Sequence, residues 1–307
     1  MSTPPDLIAK DATKALEKAE RGHELGRRPD GTPRSWWSRT AARVVLIALS
    51  LLFLLPIYWM IVSSLKTDEE LAQFPPTLFP QSWEFGNFAD AVTAMPFLQF
   101  FANSVIITVS VVVLSVLSNF VVAYGFACID WPGRNKVFYL VIATLFLPFP
   151  VTLIPMFDLW ARLGLVNTLF PLIIPAAFGS AFFTFLLRQF LLQIPKDMIN
   201  AARIDGAGEW RILWTVVFPS CKPALGTVAI FAAVAAWNDF MGPLIYLNDP
   251  QKYPVALGMK LFIDQDTLAD YGGMIAMSVL ALLPVLLFFL AFQRFLVESM
   301  ANSGIKG

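Results

Sequence analysis

Charge is scarce in this chain. Only 14% of its 307 residues are Asp, Glu, Lys or Arg, against about a quarter in a soluble domain. The 22 cations and 22 anions cancel, which argues against a basic surface for nucleic acid. Histidine occurs once, as His23, and cysteine twice, as Cys128 and Cys221. That inventory is too small for a zinc site or a disulfide framework. The sequence also lacks GxxxxGK[ST], HExxH and GxSxG, and Gly206-Ala207-Gly208 follows no strand and lacks the third glycine of a dinucleotide loop. No catalytic residue, metal or cofactor is expected on this chain.

Apolar residues are abundant: the hydrophobic fraction is 57% and the mean hydropathy +0.65, values of an integral membrane protein. Six apolar runs of roughly 20 residues, each long enough for a hydrocarbon core of ~30 Å, fall at about 44–64, 104–127, 137–158, 168–187, 224–247 and 274–294. The expected fold class is all-α, a polytopic protein of six transmembrane helices. Residues 1–43 form a polar N-terminal extension, 44–294 the membrane domain and 295–307 a tail. Asp6 to Arg28 has loosely helical apolar spacing and suits a surface helix. Arg34, Trp36, Trp37, Arg39 and Arg43 make a headgroup-level threshold before the first span, which is long for a signal peptide and reads as uncleaved.

Cations gather in the N-terminus, the 128–136 turn, the 188–223 loop and the tail. The 65–103, 159–167 and 248–273 connections hold fewer cations and several acids, among them Asp68, Glu69, Glu70, Asp264, Asp266 and Asp270. By the positive-inside rule both termini are cytoplasmic. Cys128 and Cys221 then face a reducing compartment as free thiols. The outer 66–103 loop carries Pro75, Pro76 and Pro80 with Trp83, Phe85, Phe88, Phe97 and Phe100. It offers either a docking surface for a soluble partner or an aromatic layer resting on the membrane interface.

Polar residues within apolar spans are costly unless paired or facing water. Trp237, Asn238 and Asp239 lie about 20 Å along the fifth span from its cytoplasmic start, at ~1.5 Å per residue. With Asn119 and Thr152 they are candidates for a solute path, since Asn, Asp and aromatic faces suit a neutral polyol. The alternative is that they bind helices to one another. Prolines at Pro148, Pro150, Pro155, Pro171, Pro175 and Pro284 imply kinked spans.

The longest polar interruption in the second half is Asn200 to Pro223, within a 190–223 loop. Pro195 and Asp197 suit a helix start, Gly206 suits a turn between two short helices (about 195–204 and 209–218), and Ala201 and Ala202 leave one face flat. Ala201, Ala202, Asp205, Gly206, Ala207, Pro219 and Pro223 match in order and spacing the EAA loop of ABC importer permeases, which this stretch resembles. Asn200 stands where that family usually has Glu. Residues 153–168, Phe185 to Pro195, Trp237-Asn238-Asp239 and the terminal Ser303 to Gly307 are similar to segments of maltose-type sugar permeases, so the resemblance covers about 44–307.

The resemblance implies a permease subunit of a carbohydrate importer in the bacterial inner membrane. It implies a second permease subunit, two copies of a P-loop ATPase subunit that hold ATP and Mg, an extracytoplasmic sugar-binding protein, and membrane lipid around the spans. Asn200, Ala201, Ala202, Asp205, Gly206, Ala207, Glu209 and Pro219 would form the docking and coupling element, and Gly304, Lys306 and Gly307 a tail contact with the ATPase. The competing readings are an ABC permease for another small solute and an ATP-independent secondary transporter; the latter would usually show internal repeats, and none is evident.

Overall fold

The computed structural model of the chain describes residues 36–93, 95–264 and 271–304. The expected surface helix at 6–28, the acids Asp266 and Asp270, and the tail residues Lys306 and Gly307 lie outside them. Every regular element described is a helix. In chain order these are α1 (Trp36–Ser63), α2 (Asp68–Leu71), α3 (Gly86–Thr93), α4 (Phe97–Ala127), α5 (Arg134–Ala143), α6 (Phe149–Arg162) and α7 (Phe170–Ile173). Then follow α8 (Ala181–Leu191), α9 (Lys196–Ile204), α10 (Glu209–Ile212), α11 (Phe218–Trp237), α12 (Met241–Tyr246), α13 (Val255–Asp264) and α14 (Tyr271–Gly304).

The chain divides into two units, Met1–Met60 and Ile61–Gly307. The first holds most of α1. Its side chains from Val44 to Leu55, including Leu46, Ile47, Leu51 and Phe53, are exposed. A helix apolar on every side is stable in hydrocarbon, where all backbone bonds are internal and no side chain meets water.

The second unit is built on α4. Its 31 residues span about 46 Å at 1.5 Å per residue, more than a hydrocarbon core of ~30 Å requires, so its ends stand clear of that core. Along one side of α4 runs α11, with α8 and α13 on other faces, and α14 packs on α11. Buried Ala224, Gly226, Ala229, Ala232 and Ala233 line α11. Small side chains let the backbones approach closely, which is how helices associate where no water drives them together. Phe120, Tyr124, Leu187, Ile199, Ile212, Leu213, Val217 and Val228 form the main core, at one end of the bundle; a second cluster of Ala91, Met95, Phe97, Phe100, Val255 and Met277 lies towards the other.

Five helical stretches are long and apolar enough to cross a membrane: Thr40–Ser63, Phe97–Ala127, Phe170–Leu191, Glu209–Trp237 and Tyr271–Arg294. The expected third span at 137–158 is not one helix. Arg134–Phe146 and Pro150–Arg162 meet at a bend of 100°. Leu147 is extended, at φ −78° and ψ 114°, as the residue before Pro148 prefers. The stretch at 168–187 is likewise made of pieces: α7, a 3-10 turn over Ile174–Phe178, Gly179 at φ +82°, then α8. Pro171 and Pro175 remove backbone donors on one side of that break.

On the side where α1 ends and α14 begins, the loop after α1 is tied by buried charges. Lys66 is 1% exposed and donates from Nζ to the Thr77 carbonyl at 2.5 Å. The Glu70 carboxylate accepts from the Thr77 hydroxyl and from the Gln81 amide, the latter at 3.0 Å. Asp68 accepts the Gly272 amide at 3.0 Å, so this loop is fastened to the start of α14. Phe74, Phe79, Trp83 and Phe85 are left on its outer surface, with Trp83 and Phe85 stacked 6.1 Å apart.

Candidate coupling hairpin and solute cavity

The polar interruption folds as a hairpin of α9 and α10. Pro195 precedes α9 in an extended conformation, Asp197 lies in the first turn and Arg203 in the last, each charge at the end of the helix dipole it complements. Ile199 is buried in the main core, with Ala202 and Ala207 packed against it. The helix stops in a Schellman motif: the Gly206 amide donates to the Arg203 carbonyl and the Ala207 amide to the Ala202 carbonyl, both at 3.0 Å. That closure requires Gly206 at φ +79°. A Cβ there would touch nothing within 4 Å, so the demand for glycine is conformational, not steric.

A polar network joins the two arms and anchors them. Arg203 donates from Nε to Glu209 at 2.9 Å, from Nη2 to the Cys128 carbonyl at 3.0 Å, and from Nη1 to Asn200 Oδ1 at 3.4 Å. Tyr124, near the end of α4, donates its hydroxyl to the other Glu209 oxygen at 2.5 Å. The Glu209 hydrogen bond raises the Arg203 guanidinium above its ordinary value, while burial pushes the Cys128 thiol up to about 11. Ala201, Asp205, Gly206 and Pro219 face outwards. So do two large apolar side chains, Ile204 at 86% and Trp210 at 66% exposure.

Beyond α10 the ladder widens to a π-helical turn over Leu213–Val217, with the Phe218 amide bonded to the Leu213 carbonyl. Pro219 explains it: without an N–H it cannot close the ordinary bond to Thr215. The expected second helix at 209–218 is thus a short α-turn, a π-turn and the start of α11.

The polar residues singled out at depth separate. Asn119 is fully buried; Oδ1 accepts from the Ser180 amide at 2.7 Å and the Thr184 hydroxyl at 2.9 Å, and Nδ2 donates to the Ser115 carbonyl at 2.7 Å. It repairs the break at Gly179, binding α8 to α4, and its amide is committed to the chain itself. Trp237 is buried, donates to the Ala281 carbonyl at 3.1 Å and packs edge-on to Phe101. It borders an apolar cavity of about 310 Å³ with Val109, Pro284 and Phe288. Asp239 caps α12 through the Gly242 amide at 3.1 Å. It also faces a mixed cavity of about 330 Å³ with Ser115, Phe183, Leu172 and Pro243. Asn238 is exposed and bonds back to Val234; Thr152, half-buried on α6, is not among the residues lining that cavity.

Sequence reasoning missed Arg203, Tyr124 and the Cys128 carbonyl. Arg203 lay inside the hairpin motif, so its reach to Glu209 could have been read there. Tyr124 is 85 residues from Glu209 and carried no local signal. Among the described residues no group of His, Cys, Asp and Glu could hold a metal.

A family model for the binding-protein-dependent transport system inner membrane component matches residues 104–302. The chain is 34% identical to a diacetylchitobiose uptake system permease protein of Streptomyces coelicolor, over 86% of this chain and 88% of that one. It is 31% identical to an arabinooligosaccharides transport system permease protein of Bacillus subtilis, over 88% and 96%. Among solved structures, a chain of a bacterial ABC transporter involved in import of the acidic polysaccharide alginate superposes with a TM-score of 0.72 at 25% identity, over 86% of this chain and 99% of that chain.

Proposed function

The chain belongs to the binding-protein-dependent transport system inner membrane component family, and from that premise we propose that it is the sugar-conducting permease subunit of an ATP-driven importer. It is a multi-pass protein of the bacterial inner membrane. Its oligosaccharide permease relatives support a mono-, di- or oligosaccharide as cargo. The mixed cavity supports the same class: among the described residues, Asp239 is the one acidic or basic side chain on its wall, beside Ser115 and apolar faces. An uncharged polyol fits such a lining, which offers an anionic solute no cation.

The observation that carries the reading is the α9–α10 hairpin: a polar knob braced at its base and exposing Ile204 and Trp210 at its surface. Exposed apolar groups on an otherwise polar projection suit a protein partner, here an ATPase subunit. In this scheme six spans cross the membrane, the bent pair at 134–162 serving as the third, and both termini are cytoplasmic. Residues 1–43 form an extension, and the tail at Gly304, Lys306 and Gly307 reaches an ATPase subunit. A second permease completes the pathway, two ATPase subunits hold ATP and Mg, and an extracytoplasmic binding protein delivers the sugar. This subunit does no chemistry itself. Closure of the ATPase pair moves the hairpin, and the helices rock to receive sugar from the docked binding protein.

Gentle-detergent purification of the tagged chain from its own membrane tests this. Stoichiometric recovery of a second permease and a P-loop ATPase is the expected outcome. A chain that purifies alone and moves solute in vesicles without ATP would replace the reading with a secondary transporter, for which the broken helices at Pro148 and Gly179 would be suitable.

A further inference from the structure

The hairpin is not tethered to its membrane helices only through its own loop. One carboxylate, Glu209, is held from two directions: by Arg203 of the same hairpin at 2.9 Å and by Tyr124 of α4 at 2.5 Å. Arg203 continues to the Cys128 carbonyl at 3.0 Å, at the end of α4. The knob is therefore cross-linked to a helix 85 residues away in sequence. By contrast, its covalent path towards α11 runs through the π-turn Leu213–Val217, a deformable register at which helices commonly bend.

We propose that Tyr124, Glu209 and Arg203 act as positioning residues that make the α9–α10 hairpin and α4 one rigid lever, while the π-turn lets α11 pivot against it. The proposal rests on the coupling reading above and names which helix receives the stroke. Bidentate use of one carboxylate fixes direction as well as distance, because its two oxygens are bonded to two elements at once. A single exposed ion pair would leave the hairpin free to swivel. The long reach of α4, past Asn119 and on to Asn103, then carries the displacement across the membrane. At the far end, the Asn103 amide donates to the Gln251 and Tyr253 carbonyls at 2.8 and 3.1 Å.

The test uses the whole complex with its ATPase, in lipid vesicles. Cys128→Ser removes a competing thiol and keeps the carbonyl. Spin labels at Asp197→Cys on α9 and Leu98→Cys at the far end of α4 report one distance, read before and after trapping with ATP, Mg and orthovanadate. A rigid lever gives the same distance in both states. Tyr124→Phe or Glu209→Gln, each removing one bond, gives a second distance on trapping. It also lowers transport per ATP hydrolysed by about fivefold or more, the lower end of an ordinary coupling free energy. The reversed pair Arg203→Glu with Glu209→Arg keeps an ion pair within the hairpin but loses both bonds to α4, so it too gives a second distance on trapping.

A distance that changes on trapping without these substitutions, or one unmoved in both single variants, overturns the proposal. If no ATPase accompanies the chain and vanadate changes nothing, the importer reading itself has failed instead.

Discussion

Asn119 and Asp239 are both polar residues at membrane depth, and their surroundings give them opposite fates. Asn119 spends its carbonyl on the Ser180 amide and the Thr184 hydroxyl. Asn119→Ala leaves both groups without a partner in a buried site, at about 1–3 kcal/mol each. The expected outcome is a lower melting temperature in detergent and a smaller yield of folded protein, with unchanged apparent affinity for sugar in whatever folds. Asp239 keeps only one oxygen on its helix cap and presents its side chain to the mixed cavity. Losing the cap costs roughly 0.5–2 kcal/mol, which folding tolerates more easily. Asp239→Ala is expected to change concentration dependence of uptake while membrane levels hold; a variant that merely disappears from the membrane would assign Asp239 to packing. Nothing in the sequence distinguished these two residues, because the distinction lies in which atoms face them from α8 and α12.

At the scale of the element, the 66–85 loop is an aromatic surface clamped from within. The Thr77 hydroxyl first, then the Gln81 amide and the Lys66 charge, hold the Glu70 carboxyl below its ordinary value, against the opposing effect of burial. A carboxylate whose folded pKa is depressed adds stability above its unfolded pKa and loses it as pH falls through the folded one. The loop is therefore expected to keep its structure from neutral pH down through the ordinary carboxylate range and to loosen below it. Limited proteolysis between Leu71 and Trp83, followed against pH, reads this directly. Glu70→Gln should be cleaved at neutral pH as readily as the native loop is in acid. Equal resistance of the two proteins across the range would show that Lys66 alone supplies the clamp. The same scale explains the hairpin: Gly206 was legible because only a left-handed residue closes a helix this way. The π-turn was not, since it arises from Pro219 acting on a carbonyl one turn away.

At the scale of the molecule, orientation is the quantity to measure. Gln81 is exposed on the loop that follows α1, and Asp197 is exposed on the hairpin. With both termini inside, Gln81→Cys reacts with a membrane-impermeant maleimide added to intact spheroplasts, whereas Asp197→Cys reacts only after permeabilisation. Native Cys128 should stay largely unlabelled at neutral pH, because burial lifts its thiol to about 11 and leaves little thiolate. Labelling of both introduced cysteines from the same side would overturn the topology, and with it the placement of the hairpin against an ATPase.

The sequence by itself determined the solvent and the class. Long apolar runs with 14% charge admit only a membrane fold, since unbroken apolar helices have no stable place in water, and the hairpin motif is local enough for a glycine and its neighbours to specify. What only the tertiary structure decided is how those helices are divided and joined. The expected third span became a 100° bend because Pro148 denies Leu147 the helical conformation, and Asn119 makes the break at Gly179 bearable from another helix. Tyr124 reached Glu209 only once the α9–α10 hairpin lay against the end of α4. A hydrogen bond between residues far apart in the chain depends on the packing of every element between them, and packing is a property that no stretch of sequence carries alone.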